Sequence, residues 1–188
     1  MHARSRLTAG ALGLALLAPA ALVAAPAGAA TSCAVTWGSL AKVDPDTRVG
    51  DGTVTGARAG RHECFDRLVV DLAGVPASQV GYAVSYVDGV RAPGSGQVVP
   101  LDGGARLQVE VTVPAYDAKG RATWSPRDRS RVVDVTGYST LRQVALAGSY
   151  EGTTTLGVGV RARLPFRVTL LDGPGTGSRL VVDVAHRW

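Results

Sequence analysis

The sequence predicts an all-β protein, an antiparallel sandwich or barrel preceded by a signal peptide, on three observations. From residue 54 onward, short β-branched runs recur between clusters of Gly, Pro and Asp, the punctuation of antiparallel sandwiches and barrels. The clearest run, residues 106–113, alternates Leu107, Val109, Val111 and Val113 with Arg106, Gln108, Glu110 and Thr112. That period of two gives a strand one dry face and one wet face, and it excludes a helix. At the N-terminus, Arg4 and Arg6 precede an apolar run from Leu7 to Ala25 and the small-x-small triplet Ala27-Gly28-Ala29, which together form an export signal with its cleavage site.

Residues 1–29 are therefore expected to be removed after Ala29 or Ala30. An uncleaved anchor is the alternative, because the apolar run approaches the ~20 residues of a membrane span; Pro19 and Pro26 weaken it. No later stretch is that apolar. Residues 30–51 form a lead-in carrying Cys33, and the only other cysteine is Cys64. An even count in an oxidising compartment reads as a disulfide, and closing a loop of that length contributes roughly 3 kcal/mol in the chain-entropy picture. A lipid on Cys33 is the competing use, although Ala30 stands where such signals usually carry leucine.

The single domain expected over residues 52–188 is assembled from further runs. Residues 54–58 form a weak strand with Gly56 inside it, a signal for a bulge or a close backbone approach. Residues 67–72, 82–87, 154–160, 165–171 and 179–185 follow the alternating rule, with Leu156-Val158-Val160, Phe166-Val168-Leu170 and Leu180-Val182-Val184 facing inward. Residues 139–147 are ambiguous, because Leu141, Val144 and Leu146 fit neither period, and they are assigned to a strand. Asp88-Gly89, Pro93-Gly94-Ser95-Gly96, Asp102-Gly103-Gly104 and Asp172-Gly173-Pro174-Gly175 are turn signals expected to make tight links between neighbouring strands. One connection, residues 114–137, is long enough to be functional or disordered.

Charge and motif content narrow the function. Two of the 20 Lys and Arg residues lie in the signal, which leaves 18 against 15 Asp and Glu. A net charge of +3 suits loose attraction to anionic wall polymers and is too weak for a nucleic-acid footprint. A membrane enters only through a lipidated Cys33 or an uncleaved signal. No G-x-S-x-G elbow and no H-E-x-x-H occurs, and His62 and His186 are the only imidazoles beyond the signal, so neither a serine hydrolase nor a zinc centre is indicated. No catalytic residue, metal or cofactor is expected. Gly173–Ser178 lacks the Lys-Ser/Thr ending and the helix of a phosphate loop and reads as a hairpin.

Three groups are candidates for ligand binding. Arg61, His62, Asp66 and Arg67 crowd donors and acceptors fit for a carboxylate or sugar hydroxyl. The alternative is that Asp66 and Arg67 pair with other strands and Phe65 fills the core. In the long connection, Tyr116 and Trp124 offer stacking surfaces beside Arg121, or simply cover a sheet. Glu151, ahead of a threonine run, is the third.

Taken in order, Gly60-Arg61-His62, Phe65-Asp66-Arg67, Val69-Val70-Asp71, Tyr86-Val87-Asp88, Gly148-Ser149-Tyr150-Glu151-Gly152, Pro165-Phe166-Arg167-Val168 and Arg179-Leu180-Val181-Val182-Asp183-Val184 resemble the AMIN-like domain of actinobacterial exported proteins. The resemblance runs from about residue 52 to the C-terminus. It implies a β-sandwich related to the AMIN domain that holds cell-wall amidases on peptidoglycan, hence a noncatalytic module of a secreted or envelope protein contacting peptidoglycan or another wall glycan. A protein-interaction or structural role, and a wall-active hydrolase, are the alternatives. No ligand residue is carried over from the family.

Overall fold

Alternation decides which way each side chain points. In the strand Ala105–Val111, Leu107, Val109 and Val111 are fully buried, while Arg106, Gln108 and Glu110 on the other face keep contact with water. A computed structural model describes residues 33–44, 52–173 and 175–188; the expected signal peptide lies outside the described residues. The described strands are β1 (Lys42–Asp44), β2 (Thr53–Arg61), β3 (Phe65–Ala73), β4 (Tyr82–Val87), β5 (Ala105–Val111), β6 (Leu141–Tyr150), β7 (Thr153–Val160), β8 (Phe166–Asp172) and β9 (Ser178–Ala185). A 3-10 turn at Ala77–Gln79 is the one helical piece among the described residues.

All pairings are antiparallel, and they form two sheets of order β1-β4-β5-β7-β6 and β2-β3-β9-β8. The sandwich core lies between them. Val84, Val109 and Leu156 stand side by side across the first sheet and pack in one apolar cluster with Ala57, Val70, Leu180 and Leu170, a row across the second. Phe166, the largest fully buried side chain, meets Tyr86 edge-to-face at 5.6 Å. The Tyr86 hydroxyl accepts from the Leu164 N–H and donates to its carbonyl, so this polar tip is paired as burial requires; burial also raises its pKa.

Bulges account for the irregular patterns. The β2–β3 register shifts between Val54 and Gly56, where the glycine signalled it. In β6 it shifts at Leu141/Gln143 and Leu146/Gly148, each adding one residue that breaks the period of two.

Three of the four turn signals do not link separate strands. Asp88-Gly89, Pro93–Gly96 and Asp102–Gly104 all fall in one connection between β4 and β5, a strap folded back over the outer face of the first sheet. Its Val90 and Leu101 pack on Ala145 and Ala147 of β6, and its backbone lies directly on β7. A Cβ at Gly159 would collide with the Asp102 carbonyl oxygen, and one at Gly157 would come within 2.8 Å of Leu101 Cδ1. This is why β6 and β7 are buried on both faces.

The long connection, residues 114–137, is ordered and closes one side of the sandwich. It bonds along β6 (Leu146 N–H to Arg129 O, Val132 N–H to Val144 O) and reaches β2 (Val54 N–H to Pro114 O, Thr123 Oγ1 to Val54 O). Asp117, Asp128 and Asp134 each turn it by accepting the N–H of the residue two positions on. The Arg121 N–H and guanidinium on Asp117, the Ser130 hydroxyl and N–H on Asp128 and the Thr136 N–H on Asp134 hold the three carboxyls below the ordinary carboxylate range. A depressed folded value contributes stability that is complete above the ordinary value of about 3.9 and is lost as pH falls through the lowered one. Amide protection factors in residues 117–136 are therefore expected to fall below about pH 4 before those in β5 or β9 do; simultaneous loss of protection would contradict it.

The β6–β7 link is a two-residue hairpin with Glu151 at φ 47° and Gly152 at φ 79°. Both positive angles mark a type I′ turn, for which Asn-Gly is the favoured pair. Glu151→Asn is expected to stabilise by about 0.5–1 kcal/mol, because asparagine enters the left-handed region more easily than glutamate. Thermal unfolding should show a rise of about 2–4 °C.

Candidate functional site

The Arg61–Arg67 segment is taken apart by the strand that runs through it. Asp66 points inward and is fully buried: Oδ2 accepts the N–H groups of Thr140 and Leu141, and Oδ1 lies 3.1 Å from His186 Nε2. Arg67 points outward and forks onto Asp183 at 2.7 and 2.9 Å. Arg167 reaches the same carboxylate at 2.8 Å. The Asp183 bond also holds the Arg67 guanidinium above its ordinary pKa. Phe65 does not fill the core. It lies on the outer face of the second sheet, stacked on His62 at 4.4 Å and meeting Trp37 edge-on at 5.7 Å. Arg61 sits over Tyr138, 5.7 Å from its ring, and with His62 it remains exposed. Of these four candidates, then, Asp66 and Arg67 are committed to the architecture, and only Arg61 and His62 face solvent.

The lead-in roofs this corner. The Cys33–Cys64 disulfide fastens it at one end, Trp37 lies over the Arg167 guanidinium at 4.4 Å, and the Phe166 N–H bonds to Gly38 O. Both cysteines are consumed, so Cys33 is not a free thiol.

The second hollow, of about 290 Å³, lies under the long connection and brings Tyr116, Trp124 and Arg129 together. Both aromatics are engaged: the Tyr116 hydroxyl accepts the Gly152 N–H at 3.0 Å, and Trp124 packs on the core. Arg121 turns back onto its own Asp117 at 2.7 Å, away from the hollow.

A groove of about 480 Å³ lies on the outer face of the first sheet, where the strap leaves β4, β5 and the end of β7 uncovered. Its floor is the row Ala83, Glu110 and Thr155, partners across three strands. One wall is the β1 edge with Val43 and Asp44. The opposite wall is the β6–β7 hairpin with Tyr150 and Glu151. Tyr150 is 52% exposed and rests against the strap, where a Cβ at Gly94 would stand 3.8 Å from its ring. Tyr82 packs on the core and turns an edge to the groove. Burial and the Asp44 charge raise its pKa, so at neutral pH it is a neutral hydroxyl. Of the groove residues, the sequence reading singled out only Glu151. Glu110 lay in plain view on the wet face of the clearest strand, but which wet face stays uncovered depends on where the strap lands.

Among the described residues, no group of three His, Cys, Asp or Glu side chains is placed to hold a metal ion. A family profile, the AMIN-like domain, matches residues 52–186. The chain belongs to the AMIN-like domain family. The matched range begins at the foot of β2 and ends just past β9, so the AMIN-like sandwich supplies the second sheet entirely and the first from β4 to β6. The roofing lead-in and β1 lie outside the match, which makes the disulfide a clasp between a flanking segment and the AMIN-like domain. No curated protein and no solved structure matches the chain.

Proposed function

We propose that this AMIN-like domain is a noncatalytic binding module of the cell envelope that contacts peptidoglycan or a related wall glycan. The observation that carries the reading is the groove on the first sheet. There an exposed tyrosine face, the Thr153 hydroxyl and carboxylates line one preformed groove, the combination that holds a sugar by stacking and by hydrogen bonds. The disulfide fits an oxidising compartment such as the envelope, and secretion through residues 1–29 belongs to the same proposal. Arg61, His62, and the hollow of Tyr116, Trp124 and Arg129 are secondary contacts in this reading.

The test is sedimentation of the domain with purified peptidoglycan. Saturable retention that weakens in Tyr150→Ala, with no release of soluble fragments on prolonged incubation, supports it. Absence of saturable retention removes it, and release of fragments that stops in Glu110→Gln would replace it with a hydrolase.

A further inference from the structure

The groove on the first sheet differs in charge from the rest of the chain. Among the described residues, Asp44, Glu110 and Glu151 line it and no Lys or Arg does, in a protein with 20 Lys and Arg and a net charge of +5. An anionic polymer would be repelled here. We infer that the groove takes a glycan segment bearing free amino groups, that is, an amino sugar without its N-acetyl group. This deepens the glycan-binding reading and rests on it.

Each part of the ligand has a counterpart. The exposed ring of Tyr150 offers one apolar face to the C–H side of a pyranose. Thr112 pairs its hydroxyl with the Gly81 backbone and Thr155 is buried, which leaves Thr153 as the lining threonine placed to meet an oxygen of the sugar chain. Glu110 on the floor and Glu151 on the wall then meet the ammonium group. Gln108 donates to Glu110 Oε1 at 3.0 Å, which orients the carboxylate within its strand. A hydrogen bond between an ammonium group and a carboxylate is about twice as strong as one between neutral groups, so an amine is discriminated from an amide on charge as well as shape. An N-acetylated sugar in the same place forfeits that bond and sets an extra methyl against carboxylates.

Calorimetric titration of the domain at about pH 6, where the amino sugar is protonated, tests this with two probes. They are a β-1,4-linked glucosamine oligosaccharide and its fully N-acetylated counterpart. The free-amine oligomer is expected to bind about tenfold more tightly, the difference between a charge-assisted and a neutral hydrogen bond. That preference should shrink in about 0.5 M salt and collapse in the doubly substituted Glu110→Gln, Glu151→Gln protein. Tyr150→Ala should weaken both oligomers alike. Equal affinity for the two probes overturns the inference while leaving wall-glycan binding in place. A preference that survives the double substitution overturns it by placing the amine elsewhere. Failure of both oligomers and of whole peptidoglycan to bind overturns the inference and the glycan reading together.

Discussion

Asp66→Ala is expected to destabilise the domain by about 3–5 kcal/mol, the range for removing one partner from a buried, hydrogen-bonded charge site. The residue sits on the second sheet, yet its carboxylate accepts two backbone N–H groups at the entrance to β6, in the first sheet, and a contact from His186 after β9. It therefore ties the two layers together at one end of the core. Alanine leaves the Thr140 and Leu141 N–H groups buried without acceptors, each costing about 1–3 kcal/mol. Thermal unfolding should fall by about 10–15 °C. Asp66→Asn retains one acceptor but aims an NH2 at the same donors, and it is expected to recover only part of the loss. Asp71→Ala is the control: its pair with Arg58 is open to solvent, so about 1 kcal/mol or less is at stake. If urea titration finds the Asp66 and Asp71 variants equal, Asp66 does not join the sheets.

The second large effect belongs to Gly159→Ala. The strap over the first sheet passes so close to β7 that a Cβ at this position would fall on the Asp102 carbonyl oxygen. That neighbour is backbone and cannot swing aside like the end of a side chain. The strap must lift, and Val90 and Leu101 must leave Ala145 and Ala147. The cost is expected at the upper end of overpacking, about 3 kcal/mol, accompanied by lost amide protection at Val99, whose N–H bonds to Val90 O within the strap. Gly56→Ala, where nothing lies within 4 Å of the added carbon, is expected to change stability by about 0.5 kcal/mol or less. Equal stability of the two variants would mean that the strap does not depend on the bare backbone at Gly159.

How much of this was legible follows from which interactions are local. Strand β4 matches residue for residue what alternation predicts, and β5, β7, β8 and β9 differ by one or two residues at their ends, because a strand with one dry face writes its period directly into the chain. Strand β6 resisted for a physical reason. The extra residue at the first bulge spaces Leu141 and Val144 by three ahead of the regular step of two to Leu146, which imitates a helix over a short stretch. Three-residue β1 has no pattern to show and exists only by pairing with β4. The turn chemistry of the strap was visible, but its destination was not, since glycines at 157 and 159 acquire meaning only once another backbone lies on them. At the candidate sites the same division holds. The disulfide follows from a count of two. The fates of Asp66 and Arg67 depend on strand parity, which places adjacent residues on opposite faces. Tyr150, Glu110 and Tyr82 come together only because three strands happen to stay uncovered.

Gln143 carries a consequence for motion. Its side-chain oxygen accepts the Asp102 N–H, and its NH2 donates to Ser130 O at 2.8 Å and to Pro100 O at 3.4 Å. One amide thus latches the two longest excursions of the chain to a single strand, and Arg131 repeats the linkage through Asp102 at 2.6 Å. Neither excursion can loosen without stripping partners from the other. Their openings are thereby coupled into one cooperative event, a shared breathing mode at the covered margin of the first sheet.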